Sequence, residues 1–490
     1  MVNVKFLNLL FVAGCIFLSN HAYAETEKLF ASVDEKVLST GAAKKVAEIK
    51  ARNKSKTSGL FKFKISVLEA KSFVLNLPDG RTVTMKRKFL TKNPTHLSYA
   101  ASSEEEQVHL TLVTSGTTVS GTVYTQFSVH SIDSVGDDGI YLISAIDPST
   151  VPKSEPRERV MAPPIMKQRE KEYQEEKKKN QDRSTDKSQS LSPIGQNVSA
   201  AAAGAINVDL MVQYTSSARS YGGGNDVTIA SDIRNAVAQA NLSFSNSGIN
   251  VQLNLVDLGF TPFNESGKNL EQSLQGWANR PEVGLRRNQV AADAVMVIVS
   301  PVGTGCGDTY TNLTLQPQPG NAYSTINIAC LKSGDPILAH ELGHVFAADH
   351  NIGASQAPVI ASGSAHGWPG TNDTNATKVY NGSTWYACQH TMMAYPSTNP
   401  ACTTQRMLYW SNPAKAISWY YNGTSVQSNW YIGSSTANNF AHVTFAAPTV
   451  SAFRGPAGGG PGSGAGGGSG SEGAATQSIF TMISRLLDGW

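Results

Sequence analysis

Three histidines and one glutamate stand out for their spacing: His340, Glu341, His344 and His350. On a helix His340 and His344 are four residues apart and share one face, so both imidazoles can grip one ion. Glu341, next to the first histidine, can reach a water on that ion without binding it. His350 lies too far along for the same face, so the helix must end and the chain turn back. With ten histidines in 490 residues, chance gives this four-residue pattern on the order of 10⁻⁴ times per chain. Three protein ligands leave a fourth zinc position open, the mark of a catalytic rather than a closed structural site.

The elements that must hold these residues are legible around them. Asp335 is placed to cap a helix, with Pro336 at its first position, where the missing N–H costs nothing. Ile337, Leu338, Leu342, Val345 and Phe346 supply apolar surface behind the ligands. Upstream, Val208, Leu210 and Val212 alternate as a strand. Ile229, Ile233, Ala236, Val237 and Ala240 share a helical face, and Val251, Leu253 and Leu255 alternate again. The apolar run Ala294 to Val299 predicts a central buried strand. Thr325 to Ile328 is expected to be an edge strand over the cleft. Gly- and Asn-rich loops are expected from about residue 351 to 384.

The histidine segment resembles the metzincin zinc peptidases, whose pattern is HExxHxxGxxH followed by a methionine-bearing turn. Thr391-Met392-Met393-Ala394-Tyr395-Pro396 is similar to that turn, with Met393 beneath the metal and Tyr395 near it. Arg406-Met407-Leu408-Tyr409-Trp410-Ser411-Asn412-Pro413 is similar to the following segment of bacterial reprolysin-like enzymes, including the peptidyl-Asp metalloendopeptidases. The resemblance covers about residues 205 to 455. It implies an α/β (α+β) catalytic domain with a mixed twisted sheet, and His340, His344 and His350 as ligands of Zn²⁺. It also implies Glu341 as general base, Tyr395 as an aid to the oxyanion, and peptide or protein substrates. One position departs from the pattern: Ala347 stands where the family has glycine. A left-handed alanine costs roughly 1–2 kcal/mol. His390 is the nearest substitute ligand, its plainer reading being a polar residue before the turn.

Composition sets the outer bounds. Hydrophobic residues make up 40%, charged residues 16%, and net charge is +3. This is ordinary for a globular protein and argues against nucleic acid as partner. No internal stretch reaches the ~18 apolar residues of a membrane helix. Residues 1–24 are expected to be a secretory signal: Lys5, an apolar run from Phe6 to Leu18, then Ala22-Tyr23-Ala24. Val12-Ala13-Gly14-Cys15 offers a rival, lipidation of Cys15. Cys306, Cys330, Cys388 and Cys402 remain after the signal, an even count that favours disulfides in an exported protein. Of the three pairings, Cys306–Cys330 and Cys388–Cys402 each bracket one local loop.

Residues 25–150 carry strand-like runs at 61–65, 73–77 and 108–113, with a turn at Pro78-Asp79-Gly80. They predict a small β-rich, propeptide-like domain; an accessory domain is the alternative. Residues 151–204 are dense in charge, then polar, and are expected to be an exposed linker, partly helical and open to proteolysis. Residues 205–455 form the expected catalytic domain. Residues 456–490 are a Gly/Ser-rich linker ending in an amphipathic peptide, from Ile479 to Trp490, able to dock or attach to a surface. The function expected is a secreted zinc endopeptidase made as a zymogen. The alternative is a secreted adhesin or binding module on an inactive scaffold, against which the intact Glu341 argues.

Overall fold

The computed structural model describes residues 28–455, apart from 106, 127, 137–138, 153–160, 185–203, 301–302, 304, 313–314, 352–364, 369–376, 381–382, 387–388, 396–405 and 422–423. The signal segment, Cys15, Cys388, Cys402 and the C-terminal peptide lie outside the described residues.

Nine antiparallel strands form the first sheet. They are β1 (Phe30–Val33), β2 (Ser58–Phe63), β3 (Ser72–Asn76), β4 (Thr82–Lys92), β5 (Leu97–Ser103), β6 (Val108–Ser115), β7 (Thr118–Tyr124), β8 (Val129–Ser134) and β9 (Ile140–Ala145). Their order is β1-β2-β9-β8-β7-β6-β5-β4-β3. The Pro78-Asp79-Gly80 signal is the β3–β4 turn, and Gly80 takes a φ of 87° there. Alternation sorts the faces: Val108, Leu110, Leu112, Val119 and Val123 enter one core with Phe73 and Tyr99. Helix α1 (Thr40–Asn53) covers a smaller core through Ala42, Val46 and Ile49.

The charged stretch that follows is not simply an exposed spacer. Residues Pro164–Ser184 form helix α2, and its first two turns are anchored. Met166 is buried, Arg169 donates to the carbonyls of Ala278 and Asn279, and Glu170 pairs with Arg454 at 2.7 Å. A partly charged segment can therefore pack where each anchoring charge finds a partner.

The second half mixes helix and sheet. It runs β10 (Ile206–Tyr214), α3 (Ser216–Tyr221), α4 (Asp226–Ser247), β11 (Val251–Phe260), α5 (Leu270–Ala278), α6 (Pro281–Gln289), β12 (Ala294–Val299), β13 (Gly307–Thr309), β14 (Tyr323–Asn327), α7 (Ile328–Lys332) and α8 (Ile337–Val345). Hairpins β15 (Thr377–Tyr380)–β16 (Ser383–Tyr386) and β17 (Asn412–Tyr421)–β18 (Thr424–Ile432) follow, then α9 (Asn439–Val450). The five-stranded sheet has the order β11-β10-β12-β14-β13, parallel except for β13. β12 is buried along its length, with Met296 and Ile298 facing one core and Val295, Val297 and Val299 the other. That two-sided burial is why its sequence is apolar without alternation.

Two expectations are corrected. The 325–328 segment belongs to β14 and the start of α7, and β14 is not the edge, because β13 pairs along its outer side. β13 is three residues of mixed character, too short and too polar for periodicity to reveal. The loop expected from 351 to 384 also contains β15 and the start of β16.

Candidate active site

Helix α8 carries the first two histidines and the glutamate. Asp335 does not cap it: no side chain does so, and the Asp335 carboxylate instead accepts from Arg406 Nε at 3.0 Å. After Val345 the chain reverses. Ala347 N–H donates to the His344 carbonyl and Ala348 N–H to that of Gly343. Ala347 itself sits at φ 62°, in the left-handed region. Alanine thus takes the conformation that the glycine of the resemblance would supply. The turn is braced from outside. His366 Nδ1 donates to the His350 carbonyl at 2.8 Å, and His442 Nε2 to that of Phe346 at 3.0 Å.

The turn brings His350 back to the helix. Its Nε2 lies 3.2 Å from His340 Nε2 and 3.0 Å from His344 Nε2. Among the described residues these three form the group able to hold a metal, and His390 is not part of it. The fit is chemical as well as spatial. His340 Nδ1 faces the Met392 carbonyl at 2.8 Å, and His344 Nδ1 faces that of Ala348 at 3.0 Å. A ring nitrogen facing a carbonyl carries the proton, so both Nε2 atoms keep their lone pairs. Burial holds His340 well below its ordinary pKa, keeping it neutral. Neutral acceptors facing one another need a cation between them. A tetrahedral zinc with N ligands at ~2.0–2.1 Å has donor separations of about 3.3 Å, close to those observed.

Glu341 is buried beside the triad. Thr309 Oγ1 donates to its Oε2 at 2.6 Å, so β13 orients the carboxylate. Burial, with Asp308 adding to it, raises Glu341 to about 8 against the Thr309 hydrogen bond. A cation beside it pulls the other way. Gly307, also on β13, lies so close that a methyl there would overlap the Glu341 carboxylate. Met393 is fully buried under α8, where a methyl on Gly343 would overlap its sulfur. The Tyr395 ring centroid lies 4.3 Å from that of His350, and burial raises its hydroxyl, which stays protonated. Its backbone N–H donates to Asn351 Oδ1 at 2.9 Å.

Sequence reasoning missed Thr309, Gly307 and the role of Arg406. The Arg406 guanidinium is buried against the Met392 carbonyl and His340 Nδ1 while pairing with Asp335. It ties the start of α8 to the methionine turn from behind. No local pattern marks these residues, because their partners are distant in sequence. Cys306 and Cys330 form a disulfide, joining the chain before β13 to α7.

Residues 205–411 match the family model for reprolysin-like peptidases, metallo-peptidase family M12. A peptidyl-Asp metalloendopeptidase of Stenotrophomonas maltophilia (strain R551-3) is 25% identical over 440 residues, covering 86% of this chain and 89% of the relative. Another, from Xanthomonas campestris pv. campestris, is 24% identical over 358 residues, covering 70% and 69%. The crystal structure of metalloproteinase-II from Bacteroides fragilis aligns with 62% of this chain and 85% of its own at 12% identity and a TM-score of 0.33, too loose to bear on the fold. Site and relatives together define a zinc metallopeptidase. Within that class, residues 205–411 are similar to the reprolysin-like enzymes of metallo-peptidase family M12.

Proposed function

We propose that this protein is a secreted metzincin-type endopeptidase that cuts within protein or peptide chains and is made as a precursor. The observation that carries the reading is the convergence of three Nε2 atoms beside a buried, hydrogen-bonded glutamate. His340, His344 and His350 would hold zinc. When bound, the ion supplies a Lewis acid that polarises the scissile carbonyl and acidifies water. Glu341, with one oxygen held by Thr309, takes a proton from the attacking water through the other and passes it to the leaving amine. The protonated Tyr395 hydroxyl donates to the developing oxyanion. The Met392 carbonyl keeps His340 in the tautomer that leaves Nε2 free, and Arg406 donates to that carbonyl from behind.

Export is supported by the N-terminal signal pattern and the disulfide. Among the described residues no helix is long and apolar enough to cross a membrane. Residues 25–150 are read as the propeptide, with processing in the charged stretch of residues 151–204. The C-terminal peptide is a candidate for surface association.

Casein digestion with and without o-phenanthroline tests the reading. Chelation should abolish cleavage, and added zinc should restore it. The Glu341→Gln variant should retain about one zinc per chain and lose several orders of magnitude in turnover. Undiminished cleavage by that variant would remove Glu341 from the proposed role.

A further inference from the structure

The N-terminal sheet meets the peptidase on the outer side of α4, and the chemistry of that seam is unlike a permanent core. One face of α4 is apolar, with Ile229, Ile233, Ala236, Val237, Ala240 and Phe244 in the main cluster. The other presents Asp232, Asn235, Gln239 and Asn246, spaced to share a face, and each is at least nine-tenths buried. Their cover is polar too. Ser120 Oγ donates to Asp232 Oδ1 at 2.7 Å. Asn235 and Gln239 both donate to Thr122 Oγ1, at 3.0 and 2.9 Å. Among the described residues of the first region, only Ala100, Tyr124, Val129 and Ile146 enter the main apolar cluster as buried residues. The sheet keeps its own cores on its other face and under α1. An interface of this composition resembles a separable one rather than a divided core.

The buried charges support the same conclusion. Lys332 lies 2.9 Å from Asp232 and 3.6 Å from Asp133, and Asp133 lies 3.1 Å from Arg52. The row alternates in sign across the seam. Separation leaves Arg52 with Asp133 on the sheet and Lys332 with Asp232 on the peptidase. Neither half is left with an unpaired charge, which is the step that makes breaking a buried pair costly.

The sheet also grips the site from behind. Tyr124 OH donates to the Gly334 carbonyl at 2.6 Å, next to Asp335. Gln389 donates to the Gln126 carbonyl at 2.9 Å, just before the methionine turn, and the His109 ring packs edge-on against Tyr409.

We infer that residues 28–150 are a dissociable partner of the peptidase, docked on the polar stripe of α4 behind the metal ligands, and that cutting the chain does not by itself release them. The seam then separates into two intact, charge-balanced halves.

The test starts from the full chain with a recognition sequence for a site-specific protease inserted between Ser154 and Glu155. After cutting near neutral pH, the two pieces should co-elute on size exclusion. They should part in mild urea, and each should show its own cooperative melt once the urea is removed. Remixed, they should re-form a one-to-one complex. Thr122→Arg removes the shared acceptor and places a cation near Lys332. It should weaken the complex about 100-fold or more while leaving each half's melt unchanged. Gln239→Lys, from the opposite side, should act likewise, which covers the case where the first variant fails to fold. Immediate release of the N-terminal piece on cutting would overturn the inference, as would its collapse once separated. Wild-type association in both variants would show that the α4 stripe is not the docking surface.

Discussion

At the scale of single residues, the site rests on close backbone approach and one strained turn. Gly343 lets Met393 lie against α8, and a side chain there has no room. Gly343→Ala should therefore destabilise the protein by about 1–3 kcal/mol, through overpacking under the ligands. A thermal melt of the zinc-free protein reads this without involving the metal. Ala347 presents the opposite case. Its φ of 62° is expensive for alanine and ordinary for glycine. Ala347→Gly should raise stability by up to about 1 kcal/mol. A loss instead would mean that the Ala347 side chain contributes more through its packing than its backbone costs. Thr309 teaches a different lesson: a hydroxyl on β13 orients the glutamate of α8, a contact no motif announces.

At the scale of elements, α4 shows how one helix serves two partners. Its apolar stripe was legible because period 3.6 sorts residues onto faces. The same period predicts solvent for the opposite stripe, yet the first sheet buries it through hydrogen bonds. A pH dependence follows from His109, which lies in that seam. Burial pushes it down to about 3, with Lys88 and Lys415 lowering it further and Glu104 opposing them. Ser102 lies 2.9 Å from its Nδ1, and Asn246 of α4 and the ring of Tyr409 also face it. Undocked, His109 regains an ordinary pKa near 6.5. The free form then binds more protons between those values. Docking is at full strength above about pH 6.5 and weakens as pH falls below it, by up to about tenfold per unit. Affinity of the cut halves at pH 7.5 and pH 5 measures this, and His109→Gln should flatten the profile. A profile unchanged by that variant would exclude His109 as the source.

At the scale of the whole molecule, a mixed sheet carries the site while a second sheet braces it from behind. The Cys306–Cys330 bridge spans 24 residues and fastens the segment before β13 to α7. Loop-closure entropy gives such a bridge about 3 kcal/mol. Reduction, or replacement of both cysteines by serine, should lower the melting temperature by several degrees. The change should be largest in the peptidase half, where both cysteines lie. An unaltered melt would mean that packing around β13 already fixes the segment.

The histidine group able to hold a metal, the reversal after α8, the buried β12 and the strand content of the first region were legible in the sequence. Each depends on spacing along the chain, and local periodicity carries that information. The tertiary structure alone decided which strand forms the edge, because β13 is three residues long and is defined only by its pairing with β14. It alone decided that Asp335 serves Arg406 rather than the helix end, since a carboxylate goes to the nearest buried cation and the chain places that cation 71 residues away. The burial of α4's polar face was likewise a tertiary outcome. Polar residues look the same in sequence whether water or a hydrogen-bonding sheet lies against them.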